Sequence, residues 1–148
     1  TAAVVAATGC GASETTAPAT TTRSSRNAVT AVVYRSPTCG CCKSYEEYLR
    51  RHGFSVRSEE TDEMDSVKSE QGIPQDAEAC HTTVIGDYVV EGHVPVEAIE
   101  KLLDERPDID GIAVPGMPAN SPGMGEPNGE PLEVLSVNDG QTAAFTST

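Results

Sequence analysis

The sequence predicts one α/β domain, and three observations lead to this class. The chain has 148 residues, which is close to the size of one ordinary domain. Short β-branched runs alternate with segments whose apolar residues recur at helical spacing. No apolar run approaches the roughly 20 residues needed to cross a bilayer. The elements are expected in the order strand, helix, strand, helix, hairpin, helix.

The first 27 residues predict an export segment followed by a linker. Residues 1–9 are small and apolar and end at Cys10 and Gly11, which resembles the cleavage box of a lipoprotein. Cys10 is therefore the candidate lipidation site, and an ordinary secretory or disordered start is the alternative. Residues 11–27 are Ser, Thr and Ala with no periodic apolar residue, so they predict a disordered tether.

The first βα unit is expected at the start of the folded domain, which the sequence predicts over residues 28–137. Residues 28–34 are short, β-branched and continuous, as in a buried strand. An amphipathic helix then ends at Gly53. Its apolar face is formed by Tyr45, Tyr48, Leu49 and His52, at i, i+3, i+4 and i+7.

The second half of the domain is predicted to contain a strand, a weak helix, a hairpin and a final helix. Residues 54–57 predict the strand and residues 61–70 the weak helix. Gly86-Asp87 separates two β-rich runs, which is typical of a hairpin. Pro95 opens and Pro107 closes the last helix. This order of elements is found in thioredoxin-like domains, where chemistry lies between the first strand and the first helix.

The charge of the chain excludes one class of partner. Twenty-three acidic against ten basic side chains give a formal net charge of −13, so a nucleic-acid-binding surface is not expected. The acidic residues are dispersed, which resembles the surface of a salt-adapted protein. A merely soluble acidic surface is the alternative interpretation.

Three cysteines lie at the predicted junction of the first strand and first helix. Free N–H groups and the helix dipole at such a junction favour thiolates, which are both nucleophiles and metal ligands. Cys39 and Cys42 have the C-x-x-C spacing of redox pairs. The additional Cys41 favours a soft metal, because a third thiol beside such a pair invites disulfide scrambling.

A second group of metal-ligand types lies at the two ends of the predicted hairpin. Cys80 and His81 precede it and His93 follows it, so the hairpin is expected to bring His93 towards Cys80. The alternatives are a hydrogen-bonded or surface role for His81 and a capping or packing role for His93 beside Pro95.

Two methionines lie in a Pro- and Gly-rich segment, residues 114–125, which we call the methionine loop. Met117 and Met124 sit in turns, where a thioether is displayed as a soft ligand for Cu(I). The alternative is that they cover an exposed site or fill a gap. Met64, on a predicted helix, is expected in the core. Residues 138–148 are expected to be a polar tail.

Thiolates, imidazoles and thioethers together favour Cu(I), whereas zinc is satisfied by four Cys and His ligands. The predicted metal ligands are Cys39, Cys41, Cys42, Cys80, His81, His93, Met117 and Met124. If the site is redox-active, Cys39 and Cys42 are the candidate catalytic residues.

Three runs of this chain strongly resemble the CopG-like copper-resistance proteins. These runs are YRSPTCGCCKSYEEYLRRHGF, IPQDAEACHTTVIGDYVVEGHVPVEAIEKLL and AVPGMPANSPGM. The resemblance covers about residues 28 to 135 and implies a thioredoxin-like fold, an exported, periplasmic or otherwise extracytoplasmic location, and copper bound by cysteine thiolates as a multinuclear cluster. Its matched motifs fall on Cys39, Cys41 and Cys42, on residues 80–82 and 92–95, and on Met117-Pro118.

Three functions remain open at this point. The first is a copper-homeostasis protein that binds Cu(I), cycles copper between oxidation states and exchanges it with other copper-handling proteins. The second is a thiol-disulfide oxidoreductase in which Cys39 attacks and Cys42 resolves. The third is a structural zinc site formed by Cys39, Cys42, Cys80 and His81.

Overall fold

The computed structural model describes residues 29–126 and 128–148, so Cys10 and the predicted export segment and tether lie outside the described residues. Across these residues the chain forms one seven-stranded sheet, three α-helices and a short 3₁₀ helix, Gln75–Ala77. The strands are β1 Thr30–Arg35, β2 Ser55–Glu60, β3 His81–Ile85, β4 Tyr88–Glu91, β5 Gly111–Ala113, β6 Glu133–Asn138 and β7 Gln141–Ser147. The α-helices are α1 Gly40–Arg51, α2 Met64–Glu70 and α3 Val96–Glu105.

The sheet is mixed, with strand order β2-β1-β3-β4-β5-β6-β7. β1 runs parallel to β2 and β4 runs parallel to β5, while the other neighbouring pairs are antiparallel. The predicted α/β class is confirmed. Apart from the short 3₁₀ helix between α2 and β3, the elements from β1 to α3 occur in the predicted order.

The carboxyl-terminal strands differ from the sequence-based expectation. Residues 138–148 were expected to be a polar tail, but β7 occupies most of this segment and pairs with β6 along its length. β7 has seven residues with an exposed side chain at most positions, because it is the edge of the sheet. Such a strand lacks the alternation of buried and polar residues by which strands are recognised. β5 has only three residues and gives no periodic signal.

Both faces of the sheet are covered. On β4, Val90 belongs to the larger apolar cluster with Leu49 of α1 and Ile99 of α3. Its neighbour Val89 belongs to a smaller cluster with Ile73. Adjacent residues of a strand point to opposite faces, so the two clusters lie on the two sides of the sheet.

Helix α2 departs from the expected apolar pattern. Its buried residue is Lys68, whereas Met64, expected in the core, is only half-buried. Within the described ranges, no helix is long and apolar enough to cross a membrane.

The chain brings three strand ends together at one end of the sheet. Arg35, the last residue of β1, pairs with His81 at the start of β3, and Thr82 pairs with Glu91 at the end of β4. The buried Arg35 also bonds Glu46 of α1 over 2.8 Å, which fixes α1 against this end. The cysteines predicted to bind a metal therefore lie where β1, β3 and β4 meet.

Candidate metal centre

The first three cysteines lie at the amino end of α1. Cys39 is the N-cap residue, and its N–H donates to the carbonyl of Ser36 over 3.1 Å. Cys41 and Cys42 follow in the first turn, which contains no acidic residue. All three cysteines therefore lie at the positive end of the helix dipole.

Cys80 reaches the same place from another part of the chain. It immediately precedes β3, whose first residue, His81, pairs with the end of β1. The preceding residue, Ala79, forms a parallel bridge with Gly116 of the methionine loop. The β1–β3 pairing thus brings a cysteine 38 residues after Cys42 next to the start of α1.

The four cysteines form one cluster, in which all the sulfurs lie within 4.8 Å of one another. The Sγ of Cys41 is 3.6 Å from that of Cys39 and 3.9 Å from that of Cys80. The Sγ of Cys42 is 3.7 Å from that of Cys80. We call Cys39, Cys41, Cys42 and Cys80 the cysteine cluster.

Two members of the cysteine cluster are joined to each other. Cys39 and Cys42 form a disulfide with a Cα–Cα distance of 5.4 Å, while Cys41 and Cys80 are free thiols. The pair is the one with C-x-x-C spacing. Reduction of this disulfide provides four thiols at one place, and its formation leaves two.

Two histidines extend the cluster on the side of Cys80. The Sγ of Cys80 lies 3.3 Å from Nδ1 of His81 and 3.1 Å from Nε2 of His93. These three residues form a second group with metal-binding geometry. The hairpin therefore brings His93 to Cys80 as the sequence predicts, and neither histidine is on the surface.

The hydrogen bonds of the histidines leave ligand atoms free. Nδ1 of His93 donates to the carbonyl of Pro122 over 2.6 Å, so its Nε2 is unprotonated and faces Cys80. Nε2 of His81 is buried without a hydrogen-bond partner among the described residues. The ring of Tyr45 packs against both imidazoles and limits their rotation.

Burial controls the protonation of these groups. Burial lowers the pKa of His81 well below its ordinary 6.5, and the nearby His93 and Lys68 lower it further. Burial also lowers the pKa of His93, although its hydrogen bond to the carbonyl of Pro122 acts to raise it. Both imidazoles are thus neutral at pH 7, the form that ligates metals.

The free thiol of Cys80 is held in its protonated form. Burial raises its pKa to about 12, and the neighbouring Cys41 raises it in the same direction. A metal that binds Cys80 must therefore displace a proton.

The methionine loop lies beside the cluster through two backbone anchors. The N–H of Gly116 donates to the carbonyl of Glu78 over 2.9 Å, and Gly116, the residue before Met117, forms a bridge with Ala79, the residue before Cys80. Gly123 packs on α1, where a Cβ would lie 2.9 Å from the backbone nitrogen of Tyr45. Met117 is 56% exposed and Met124 half-buried, and their role as ligands stays a prediction.

A buried polar network behind Cys80 was not predicted from the sequence. The carboxylate of Glu91 accepts hydrogen bonds from Lys68, from the hydroxyl of Thr82 and from the N–H of Ala79. Burial raises the pKa of Glu91, although these three donors lower it. The network fixes the backbone on both sides of Cys80.

The comparisons with known proteins point to one family. Residues 77–124 match a family model described as "Protein of unknown function, DUF411". The solved structure "Copper resistance protein copG- Form 2" is 39% identical, with a TM-score of 0.74 over 81% of this chain and 98% of that one. "Copper resistance protein copG- Form 1" is 40% identical, with a TM-score of 0.73 over 80% and 96%. No curated protein matches.

Proposed function

Because this chain belongs to the family of the copper resistance protein CopG, we propose that it binds Cu(I) and holds several copper ions between its cysteine sulfurs. The observation that carries the proposal is the convergence of four sulfurs within 4.8 Å of one another. Copper is the cargo of this site rather than a resident cofactor.

The sulfur separations support shared rather than separate ions. Successive sulfurs lie 3.6 to 3.9 Å apart, so one copper ion can contact two of them and one thiolate can bridge two ions. Soft thiolates select Cu(I). Zinc would be satisfied by Cys39, Cys42, Cys80 and His81 alone, which would leave Cys41 without a role.

The histidines and methionines complete the donor set in this proposal. His81 and His93 present neutral imidazoles next to Cys80, and imidazole binds copper in both oxidation states. Met117 and Met124 contribute thioethers from the methionine loop. A mixed set of thiolates and imidazoles supports cycling between Cu(I) and Cu(II).

Anaerobic titration with Cu(I), followed by elemental analysis and a free-thiol count, tests the proposal. The reduced protein is expected to take up more than one copper per chain and to protect all four thiols of the cysteine cluster. Cys41→Ser is expected to lower the stoichiometry sharply, because Cys41 contacts the sulfurs of Cys39 and Cys80. Unchanged stoichiometry in this variant would rule out the shared-thiolate site.

Matched control variants separate the site from the rest of the chain. Cys10→Ser is expected to retain the full stoichiometry, because Cys10 is not part of the proposed site. Met117→Leu is expected to weaken copper retention against a competing chelator. Met64→Leu, in α2, is the control and is expected to leave retention unchanged.

A second candidate function is thiol-disulfide exchange, which the Cys39–Cys42 disulfide favours. In this function the thiolate of Cys39 attacks a substrate disulfide and Cys42 resolves the intermediate. Metal-free protein should then reduce or isomerise disulfides in an insulin assay, and Cys41→Ser should preserve the turnover. Absence of turnover would remove this candidate.

The cellular location is a further part of the proposal. Copper binding by thiols suits an exported domain, and Cys10 is the residue that would carry a lipid anchor. The intact mass of protein from its native source tests this directly, because acylation adds mass at Cys10. An unmodified Cys10 would remove the anchor.

A further inference from the structure

A cavity of about 690 Å³ lies at the end of the sheet opposite the cysteine cluster. β1 begins beside this cavity and ends near the cluster, while β3 runs from the cluster to the cavity. The cavity is lined mainly by residues 85–88 and by residues between Leu103 and Ile109, and we call it the acidic cavity. We propose that it binds a segment of a partner polypeptide in which basic side chains flank apolar ones. This binding is separate from the proposed function.

The walls of the acidic cavity offer apolar surface to a ligand. Four apolar side chains that line it are only half-buried, namely Val29, Tyr88, Leu103 and Ile109. All four pack against the larger apolar cluster of the domain. The hydroxyl of Tyr88 also donates to the carbonyl of Pro107 over 2.9 Å, which holds the wall in place. A preformed cavity of this size has room for several apolar side chains of a ligand.

The rim of the acidic cavity carries carboxylates that have no partner. Asp87 in the β3–β4 turn, Asp104 in α3 and Asp108 after α3 line the cavity with exposed side chains. Among the described residues, these three carboxylates form no hydrogen bond or ion pair. Because they belong to three different segments of the chain, a ligand with more than one cationic group suits them better than a single ion.

The carboxyl end of α3 adds negative potential at the same place. The last turn of this ten-residue helix contains no basic residue, and Leu103 and Asp104 of that turn line the cavity. The negative end of the helix dipole therefore lies at the cavity without the basic side chain that commonly compensates it. A Lys or Arg side chain of a partner would supply this positive charge.

Arg106 is the basic residue among the described residues that line the acidic cavity. It is the C-cap of α3 with a left-handed φ of 48°, a position where glycine is favoured. Its side chain is exposed and forms no ion pair within the described part of the chain. The arginine therefore leaves the three carboxylates unpaired, and its own charge should oppose a cationic ligand.

The basic residues that precede the cavity in the sequence match only one of its two features. Arg23 and Arg26 lie before Val29, and the two residues between them are serines. Serine side chains offer almost no apolar surface to the walls. A partner segment with apolar side chains between basic ones fits both the walls and the rim.

Titration calorimetry with a synthetic peptide tests the inference. The probe is Gly-Arg-Leu-Phe-Arg-Gly with blocked ends, added at low salt to the full, metal-free chain. We expect one peptide per chain, with affinity at least about fivefold weaker for Gly-Arg-Ser-Ser-Arg-Gly, which lacks the apolar pair. Gly-Glu-Leu-Phe-Glu-Gly, with reversed charge, should not bind. Amide NMR shifts should change at Gly86 and Ile109 and stay constant at Cys41.

Three variants test the part played by charge. Asp104→Asn/Asp108→Asn is expected to weaken binding of the probe about fivefold. Asp62→Asn/Glu70→Gln removes the same charge from exposed residues outside the cavity, and it should change the affinity by less than about twofold. Arg106→Gln should tighten binding about threefold, because it removes a positive charge from the cavity. All three changes lie on the surface, so the variants are expected to fold.

Four results would overturn the inference. They are the absence of saturable binding up to about 1 mM peptide, equal affinity for the two-serine peptide, equal weakening by the two acidic double variants, and weaker binding by Arg106→Gln. Binding that appears only in Arg23→Gln/Arg26→Gln would show that this chain's own segment fills the cavity, and it would also exclude the partner.

Copper uptake separates this inference from the proposed function. Because the acidic cavity and the cysteine cluster lie at opposite ends of the sheet, Asp104→Asn/Asp108→Asn should keep the parental Cu(I) stoichiometry. A loss of copper uptake in this variant would mean that the substitutions disturb the whole domain, and its weaker peptide binding would then not support the cavity. Failure of the parent protein to bind copper would leave the peptide result unaffected.

Discussion

Cys80 is the residue on which the contacts of the site converge. Its sulfur lies within 3.9 Å of the sulfurs of Cys41 and Cys42 and within 3.3 Å of a nitrogen of His81 and of His93. It joins the four-sulfur group to the histidine group. The backbone around Cys80 must therefore be held firmly, and a buried ion pair provides this support.

The Lys68–Glu91 pair yields the first prediction at the scale of single residues. Both side chains are buried, and Glu91 also binds the N–H of Ala79, next to Cys80. Glu91→Gln leaves the Lys68 charge buried and unpaired, so we expect the free energy of unfolding to fall by about 3 kcal/mol. Urea denaturation of the metal-free protein measures this.

The double variant Lys68→Met/Glu91→Gln is the control for that measurement. It removes both charges, so we expect it to recover most of the lost stability. Equal losses in the single and double variants would mean that the ion pair is not what stabilises this region.

His81 yields a prediction of pH dependence. Because burial lowers its pKa in the folded protein, the unfolded chain binds a proton at His81 below pH 6.5 that the folded protein does not. Stability should therefore fall as the pH drops below 6.5, and His81 should contribute up to about 1.4 kcal/mol per pH unit.

Unfolding of metal-free His81→Asn between pH 8 and pH 5 isolates this contribution. Above pH 7.5 His81 is neutral in both the folded and the unfolded chain, and the difference in unfolding free energy between the two proteins should be constant. Below pH 6.5 the difference should shrink as the parent protein loses its advantage. Parallel profiles over the whole range would contradict the buried, neutral His81.

At the scale of elements, the signals that predicted the fold were local ones. Gly86-Asp87 between two β-rich runs predicted the β3–β4 hairpin, and Pro95 predicted the start of α3. β5, β6 and β7 were missed. A three-residue strand such as β5 has no period, β6 does not alternate strictly between buried and exposed residues, and the polar edge strand β7 has no buried side to reveal it.

The site follows the same rule: contacts with a local sequence signal were predictable, and contacts without one were not. The C-x-x-C spacing marked Cys39 and Cys42 as a candidate redox pair, which form the disulfide, and the hairpin predicted that His93 would approach Cys80. Lys68 and Glu91 are 23 residues apart, and neither differs in its sequence context from an ordinary exposed charged residue. Only the tertiary pairing buries them together, so no local pattern could have revealed the network.

Gly92 yields a prediction about how the elements meet. It follows β4 with a φ of 74°, and a Cβ there would lie 2.5 Å from Cβ of Ala79 and 2.6 Å from the carbonyl oxygen of Val114. Gly92→Ala should therefore displace the segment before Cys80 and the start of the methionine loop. We expect a loss of about 3 kcal/mol in stability and weaker copper binding.

Gly86→Ala is the matched control for backbone strain. Gly86 has a similar φ of 61°, but a Cβ added there would meet no atom within 4 Å among the described residues. This variant should lose only about 1 kcal/mol and keep the copper stoichiometry of the parent. Equal effects of the two substitutions would show that the close approach at Gly92 is unimportant.

For the molecule as a whole, the net charge of −13 causes like-charge repulsion that destabilises the folded state. Raising NaCl from about 0.05 to about 1 M should screen this repulsion. We expect Tm to rise by roughly 4 °C, the shift that about 1 kcal/mol produces in a domain of this size. Thermal unfolding followed by circular dichroism measures it.

Removing acidic charge from the surface provides the control. Asp104 and Asp108 are both exposed, and Asp104→Asn/Asp108→Asn should reduce the rise in Tm with salt. A Tm that does not change with salt in either protein would contradict the contribution of surface repulsion.

In the proposed function, one small site holds several copper ions between shared thiolates. X-ray absorption spectroscopy of the anaerobic, Cu(I)-loaded protein tests this most directly, because it reports the atoms around copper. We expect mainly sulfur neighbours together with a short copper–copper distance, which only ions that share bridging thiolates would give. Copper surrounded by nitrogen and oxygen, with no neighbouring copper, would contradict it.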